Sequence, residues 1–257
     1  MKVVCFSLWG NKPKYNVGAI RNAYLVKRYY PSWVGRFYVH EETDQSVLSE
    51  LRSAGAQVIL MQGAVNWNAL FWRFSAASDD SVQIMISRDC DSRIYQREVD
   101  AVEAWLRSTA NLHIMRDHPY HFELMLGGMW GAKRPIFDAI SLDMQKFIAL
   151  GAEEIDYGVD QKFLRIIYQK FRNKALVHDN LFEGFSWPCR REELKFVGQI
   201  YDENENTPSD HIAALKYTIR YRQNMNTLAR LMEQNRLTPL EMQNDTLSSD
   251  KSSSNST

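Results

Sequence analysis

The chain has 257 residues, of which 45% are hydrophobic, and this length suits one α/β domain with a sizeable core and a C-terminal appendage. Lysine and arginine together number 31, as do aspartate and glutamate, so no overall field attracts the protein to nucleic acid or to anionic membranes. The three cysteines lie far apart without CxxC spacing, which argues against a disulfide framework or a structural zinc site. No apolar stretch is long enough to span a membrane, and we expect a cytoplasmic protein.

The first third of the chain alternates predicted strands with predicted helices. Strands are expected where β-branched and aromatic residues cluster, at residues 3–7, 36–40, 57–61 and 82–87. Helices are expected at residues 17–30, 44–53 and 68–77. Pro31 ends the first helix, and Asp44 is a candidate cap for the second. This alternation predicts βαβ units and a mainly parallel sheet.

The rest of the chain adds further elements and a glycine-rich segment. Helices are expected at residues 95–108, 137–150, 159–171 and 211–234, and strands at residues 112–115 and 175–178. Residues 124–133 contain Gly127, Gly128 and Gly131, which indicates close backbone approach rather than a regular helix. The chain is therefore expected to divide into an α/β domain at 1–206, a helical extension at 207–243 and a Ser/Asn/Asp-rich disordered tail at 244–257.

Two aspartates, Asp89 and Asp91, directly follow the fourth predicted strand. Residues i and i+2 of an extended segment point the same way, so both carboxylates can converge on one cation. Mg²⁺ and Mn²⁺ accept one or two carboxylates and leave positions for phosphate oxygens. Ligands of open α/β sheets bind at the carboxyl ends of the strands, which favours a metal clamp here. The alternative is a turn in which Arg88 and Arg93 neutralise the two aspartates.

Six short segments resemble, in this order, a group of small GT-A glycosyltransferases found in large algal viruses and microbial polysaccharide clusters: CFSLWGNKPKYNVGAIRNA, WRF, RDCDSR, MRDHPYH, GGMWG and YGVDQKFL. The likeness runs from about Val3 to Asp202. It implies a GT-A-like domain that moves a sugar from a nucleoside diphosphate, a UDP-sugar in the first place, to a glycan or saccharide acceptor. It also implies Mn²⁺ or Mg²⁺ as cofactor.

The resemblance assigns roles to individual residues. The family places the donor's base, ribose and diphosphate against residues that correspond to Ser7, Leu8, Trp9, Gly10, Arg73, Arg88 and Asp89. The metal would be held by Asp89 and Asp91, with His178 as a terminal ligand. The pocket for the sugar or acceptor would include Asp117, His118, Gly128, Trp130 and Gln161. Asp160 would take the proton of the acceptor hydroxyl or position the acceptor.

Structural and functional alternatives stay open at this point. Trp9 and Trp130 can serve as packing residues, Asp160 as a residue that binds helix N-terminal amides, and His178 as a structural histidine. A non-catalytic protein that binds carbohydrate or a nucleotide sugar would keep aromatic platforms without needing both aspartates. A metal-dependent nucleotidyltransferase or phosphoesterase would need further acidic ligands for a second metal.

Overall fold

The computed structural model describes residues 1–63, 65–150, 158–179, 184 and 186–237, so the expected tail at 244–257 lies outside the described residues. The chain divides into two compact units, Met1–Ile212 and Ala213–Thr257. The described part of the second unit is helical, and the rings of Tyr217 and Tyr221 stack along it. No helix within the described ranges has the length and apolar character that a membrane crossing requires.

Within its described residues, the first unit contains a mixed sheet of seven strands. These are β1 (Lys2–Leu8), β2 (Val34–His40), β3 (Gln57–Met61), β4 (Ile84–Ser87), β5 (Leu112–Arg116), β6 (Trp130–Lys133) and β7 (Ala175–Asp179). Their order across the sheet is β3-β2-β1-β4-β6-β5-β7. Only β6 runs antiparallel to its neighbours β4 and β5, and the other pairs are parallel. The prediction of an α/β fold with a mainly parallel sheet is confirmed.

Helices cover both faces of this sheet. They are α1 (Pro13–Tyr29), α2 (Gln45–Ser53), the 3₁₀ helix Trp67–Ser78, α3 (Gln96–Arg107), α4 (Phe137–Ala149) and α5 (Val159–Phe171), while α6 (Ser209–Leu237) continues into the second unit. Alternate residues of β1 pack on opposite faces of the sheet. Val3 and Cys5 join the cluster formed with the 3₁₀ helix, α4 and α5, whereas Val4 and Phe6 join the cluster formed with α1, α2 and α3.

Three elements differ from their predicted form. Helix α1 begins at Pro13 rather than at residue 17, because proline is suited to the first position of a helix, where its missing N–H is not needed. The predicted helix at 68–77 is a 3₁₀ helix. Strand β6 was not predicted, because Gly131 obscured it. An added Cβ at Gly131 would lie 2.7 Å from Ile86 Cγ2 and 2.9 Å from the carbonyl oxygen of Met85, so this strand position requires glycine.

A buried ion pair connects β4 to α3. Arg88 Nε donates to Glu98 Oε1 at 2.7 Å, and the hydroxyl of Tyr30 donates to the same oxygen at 3.1 Å. Arg88 and Glu98 are each 1% exposed. Removing one member of such a pair leaves a charge in the core without its counter-ion.

We expect Glu98→Ala to lower the free energy of unfolding by about 3–5 kcal/mol, because the guanidinium of Arg88 would stay buried and unpaired. Urea denaturation measures this change. Glu103→Ala on the same helix is the matched control, since Glu103 pairs with Arg107 at the surface, and it should cost at most about 0.5 kcal/mol. Equal effects of the two substitutions would contradict the importance of the buried pair.

Candidate active site

A cavity of about 650 Å³ opens where β1 and β4 end. The segment after β1 lines one side of it, and Asp89 and Asp91 after β4 line another. The 3₁₀ helix contributes Arg73, and the first turn of α5 contributes Asp160. This volume lies in the range of small-molecule sites, and the position at the strand ends is the usual one for ligands of open α/β sheets.

The two aspartates are each paired with a cation. Asp91 Oδ2 accepts a hydrogen bond from Lys14 Nζ at 3.1 Å, and Asp89 Oδ1 accepts a short one from Arg73 Nη1. Burial raises the pKa of Asp91 above its ordinary value, and the charge of Asp89 raises it further, while Lys14 opposes the shift. The two carboxylates therefore repel each other, and a cation placed between them would relieve that repulsion.

The arginines that flank the aspartates in the sequence do not neutralise them. Arg88 pairs with Glu98, and Arg93 Nη2 donates to Glu205 at 2.9 Å. Neither arginine lines the cavity or pairs with Asp89 or Asp91, so the structure supports neither the expected contact of Arg88 with a diphosphate nor the expected charge balance by Arg88 and Arg93. Successive side chains of an extended segment point in opposite directions, which turns Arg88 away from Asp89.

Arg73 lies between two carboxylates. Its Nη2 donates to Asp160 Oδ2 at 2.9 Å, while Nη1 donates to Asp89 and to the carbonyl oxygen of Arg88 at 3.1 Å. The backbone N–H of Arg73 donates to Ser7 Oγ at 3.0 Å, which ties the 3₁₀ helix to the end of β1. Burial lowers the pKa of Arg73, but the charges of Asp89 and Asp160 outweigh burial and raise the pKa above its ordinary value.

Asp160 is buried in the first turn of α5 and faces the cavity. Its Oδ1 accepts the backbone N–H of Gln161 at 3.0 Å, so Asp160 also satisfies a helix N-terminal amide as the structural alternative predicts. Burial raises the pKa of Asp160, Arg73 lowers it, and the charge of Asp89 raises it again, with a net upward shift. The pKa of Asp160 is therefore higher than that of an exposed aspartate.

Two consecutive glycines form the wall behind this charged group. An added Cβ at Gly127 would overlap with Asp160 Oδ2 and Arg73 Nη2, and one at Gly128 would overlap with Asp89 Oδ2. The predicted close approach of the backbone is confirmed here, and its partners are these charged side chains. Any larger residue at either position would displace a carboxylate.

Several predicted binding residues do lie on the cavity wall. The donor-site residues found there are Ser7, Leu8, Trp9, Gly10, Arg73 and Asp89. Gln161 of the predicted acceptor pocket and both metal-site aspartates also line the cavity. Trp9 contacts Trp72 edge to face at 6.2 Å between centroids, so Trp9 is packed on one side and faces the cavity on the other.

Other predicted site residues lie elsewhere. Asp117 is fully buried and accepts hydrogen bonds from Arg97 and Arg191, a structural ion-pair cluster. His118 Nε2 lies 2.8 Å from the carbonyl oxygen of His211, and the ring of His118 stacks on Phe196. Neither Asp117 nor His118 reaches the cavity wall, so their expected role in the acceptor pocket is not supported.

Trp130 and His178 also belong to the interior rather than to the cavity. Trp130 is fully buried on β6 with its ring 5.1 Å from that of Phe74, so it offers no platform for a sugar, and Gly128, which packs against Asp89, is not among the residues that line the cavity. His178 Nδ1 lies 2.8 Å from His113 Nε2. His178 is therefore the structural histidine of the alternative interpretation. Among the described residues, no three His, Cys, Asp or Glu side chains cluster as a complete metal site would.

Two groups of residues on the cavity wall were not predicted from the sequence. Lys12, the residue before α1, and Tyr15 in its first turn line the cavity, and Pro13 is the sequence signal for the start of this helix. The loop after β5 adds exposed aromatic rings, with Tyr120 43% and Phe122 70% exposed. The segment MRDHPYH marks the start of this loop, but the sequence does not show which of its side chains reach the cavity, because that depends on the strands around it.

Buried histidines predict how stability depends on pH. Burial lowers the pKa of His121 to about 3 and that of His178 to about 4, against an ordinary value of 6.5. Their contribution to stability is fully present above pH 6.5. Below it the unfolded chain takes up protons that the folded chain does not, so stability falls until pH reaches the folded pKa values.

We expect His121→Gln to reduce the slope of the free energy of unfolding against pH by about 1.4 kcal/mol per pH unit between about pH 6 and pH 4, because one titrating group is removed. Asp91 and Asp160 shift in the opposite sense, but they are common to both proteins and cancel. Urea titrations across this window measure the slopes. An unchanged slope would mean that the folded state holds His121 at its ordinary pKa.

No protein-family model matches this chain, and no curated protein matches it. The chain is similar to the solved structure of a glycosyltransferase involved in glycosylation of the major capsid of PBCV-1, with 10% identity, a TM-score of 0.45 and coverage of 69% of this chain and 81% of that one. The glycosyltransferase GlyE of Streptococcus pneumoniae TIGR4 shows 14% identity and a TM-score of 0.49, with coverage of 70% of this chain and 45% of that one. The 4-diphosphocytidyl-2C-methyl-D-erythritol synthase of Anaerococcus prevotii shows 11% identity and a TM-score of 0.47, with coverage of 69% of this chain and 85% of that one. Solved glycosyltransferases, one of them viral, are thus among the similar structures, and at these values they assign no activity to this chain.

Proposed function

We propose that this chain is a metal-dependent glycosyltransferase that moves a sugar from a nucleoside diphosphate, UDP in the first place, to a carbohydrate acceptor. The observation that carries the proposal is the convergence of Asp89, Asp91, Arg73 and Asp160 on one cavity at the strand ends. A diphosphate donor needs positive charge at its leaving group, and an acceptor hydroxyl needs a group that receives its proton. This site has residues of both kinds.

A divalent cation fits the residues at this site. Asp89 and Asp91 supply the carboxylate oxygens that Mn²⁺ and Mg²⁺ prefer, and both line the cavity. Burial and the charge of Asp89 raise the pKa of Asp91, so a further cation beside the pair would favour its ionised form. Asp89 and Asp91 would hold the ion, with phosphate oxygens completing its shell. When bound, the ion stabilises negative charge on the departing diphosphate.

Different residues of this chain would then bind the donor and position the acceptor. We assign the base and ribose to the segment from Leu8 to Gly10 at the end of β1, which lines the cavity, and the exposed rings of Tyr120 and Phe122 offer apolar faces on the loop after β5. Arg73 holds Asp89 and Asp160 in fixed positions relative to each other. The carboxylate proposed for the metal and the one proposed for the acceptor are therefore held by the same side chain.

Asp160 is the candidate base. Its two oxygens each accept one hydrogen bond, from Arg73 and from the N–H of Gln161, and each keeps a further lone pair. In the transfer, the acceptor oxygen bonds to the anomeric carbon, the bond from that carbon to the diphosphate oxygen breaks with its electron pair, and Asp160 receives the hydroxyl proton. A pKa raised by burial improves a carboxylate as a base near neutral pH.

Other functions fit the site less well. A nucleotidyltransferase or phosphoesterase that uses two metals needs more carboxylates around them, and the described residues bring no third metal-binding side chain to Asp89 and Asp91. A protein that only binds a nucleotide sugar would have no need of a buried Asp160 held against Arg73. Release of UDP from a panel of UDP-sugars with Mn²⁺ and saccharide acceptors tests the proposed activity directly.

The metal part of the proposal predicts reciprocal coupling. Mn²⁺ should tighten UDP binding, and UDP should tighten Mn²⁺ binding by the same factor, because linkage is symmetric. Asp91→Asn should reduce this factor to about one, since the amide that replaces Oδ2 cannot serve as an anionic ligand. Calorimetric titrations of UDP with Mn²⁺ or with EDTA measure the factor.

Asp143→Asn is the matched control for this experiment. Asp143 accepts a hydrogen bond from Lys170 Nζ at 2.8 Å, as Asp91 does from Lys14, but it is not among the cavity residues. Its substitution should leave the coupling factor unchanged. UDP affinity that is the same with Mn²⁺ and with EDTA in the unmodified protein would rule out the metal clamp.

Asp160→Asn tests the acceptor side of the site. UDP and Mn²⁺ affinities should change little, while the rate of transfer falls by about 10²-fold or more, because the amide cannot take the hydroxyl proton. Single-turnover assays with saturating donor separate this step from binding. A parallel loss of UDP affinity and melting temperature would instead assign Asp160 to the support of Arg73 and the start of α5.

A further inference from the structure

Lys14 is the side chain that holds Asp91 in the structure. It lies in the first turn of α1, with Nζ 3.1 Å from Asp91 Oδ2 and 4.4 Å from the ring centroid of Tyr15. Asp91 and Tyr15 both line the cavity. Within the described part of the chain, Lys14 is the only cationic side chain within salt-bridge distance of Asp91.

The two aspartates have partners of different mobility. Arg73, the partner of Asp89, is 3% exposed, and its guanidinium also contacts Asp160 and the carbonyl oxygen of Arg88. The side chain of Lys14 is 34% exposed and carries its ammonium on a flexible four-carbon stem. One carboxylate is therefore paired with a fixed cation and the other with a cation that can leave.

Lys14 and a divalent cation would compete for the carboxylate of Asp91, whose Oδ2 accepts the hydrogen bond of Lys14. An ammonium group that stays at hydrogen-bond distance from a carboxylate repels a cation held by the same carboxylate. Binding of the ion would therefore favour a position of Lys14 farther from Asp91. The cavity next to it is where the phosphates of a nucleotide donor would lie, and phosphate oxygens are good acceptors for an ammonium group.

We propose that Lys14 is a tethered counter-ion that neutralises Asp91 in the free protein, yields it to the divalent cation, and then binds the diphosphate of the donor. The inference rests on the proposed function, since it needs a nucleotide donor at this site. It assigns part of the coupling between metal and nucleotide to one side chain. Lys14 opposes metal binding when the site is empty of nucleotide and supports nucleotide binding once the metal is present.

Lys14→Met separates these two effects, because it keeps an unbranched side chain of similar length and removes its charge. Mn²⁺ alone should bind about 2- to 5-fold more tightly, since it no longer displaces an ammonium group. UDP in the presence of Mn²⁺ should bind about 10-fold or more weakly, since a charged hydrogen bond to phosphate is lost. Calorimetry measures both affinities, and Mn²⁺ relaxation of water protons gives the first independently.

Two further variants make the test specific. Lys170→Met is the matched control: Lys170 pairs with Asp143 at 2.8 Å with comparable exposure, 45% against 34%, but its partner Asp143 is not among the cavity residues, whereas Asp91 is. It should leave both affinities unchanged. Lys14→Arg keeps a positive charge and should restore weak Mn²⁺ binding without nucleotide. Melting temperatures of all three variants establish that each is folded.

The pattern of results distinguishes the possible failures. Opposite changes in Mn²⁺ and UDP affinity support the inference, because a merely structural role would move both in one direction or neither. Unchanged affinities in Lys14→Met, with intact coupling in the unmodified protein, would overturn the inference and leave the proposed function standing. An unmodified protein that binds neither UDP nor Mn²⁺ at this site would overturn the proposed function and the inference with it.

Discussion

The bond of Arg73 to two carboxylates is the interaction on which the candidate site depends. One guanidinium holds Asp89 after β4 and Asp160 in α5, two residues 71 positions apart in the sequence, and it does so while almost fully buried. Without it, two negative charges would face each other in a partly desolvated cavity, and the lost interactions would cost several kcal/mol. The positions of the carboxylates proposed to act on the donor and on the acceptor are thus set by the same side chain.

The fold gives Arg73 little freedom to move. Alternate residues of β1 face opposite sides of the sheet, and Ser7 lies on the side covered by the 3₁₀ helix, where its hydroxyl accepts the N–H of Arg73. Gly127 and Gly128 bring the backbone against the charged group from behind, where any side chain would collide with a carboxylate. A helix, a strand end and a glycine pair therefore enclose the guanidinium, and rigid enclosure of this kind keeps site geometry constant as ligands come and go.

Local signals were sufficient for elements that depend on neighbours in the sequence. Asp44 caps α2 by accepting the N–H of Ser46, and α5 begins and ends at the predicted residues because its apolar spacing and Gly158 mark them. The partners of the aspartates were not predictable in this way. Arg88 adjoins Asp89 in the sequence but points to the opposite side, whereas Lys14 reaches Asp91 across 77 positions because β1 and β4 are adjacent strands of the sheet.

The ion pairs around Asp89 and Asp91 bear on the ligands proposed for this site. Within this group, the three carboxylates of Asp89, Asp91 and Asp160 are paired with the two cations of Arg73 and Lys14, which leaves one negative charge in excess. A divalent ion alone would reverse that excess and compete with Lys14, while a diphosphate alone would add to the repulsion. Under the proposed function, the ion and the diphosphate would compensate each other and give Lys14 a new partner. Arg73 and Lys14 would then have separate effects: the buried Arg73 maintains the geometry of the carboxylates, and Lys14 would adjust the charge as ligands bind.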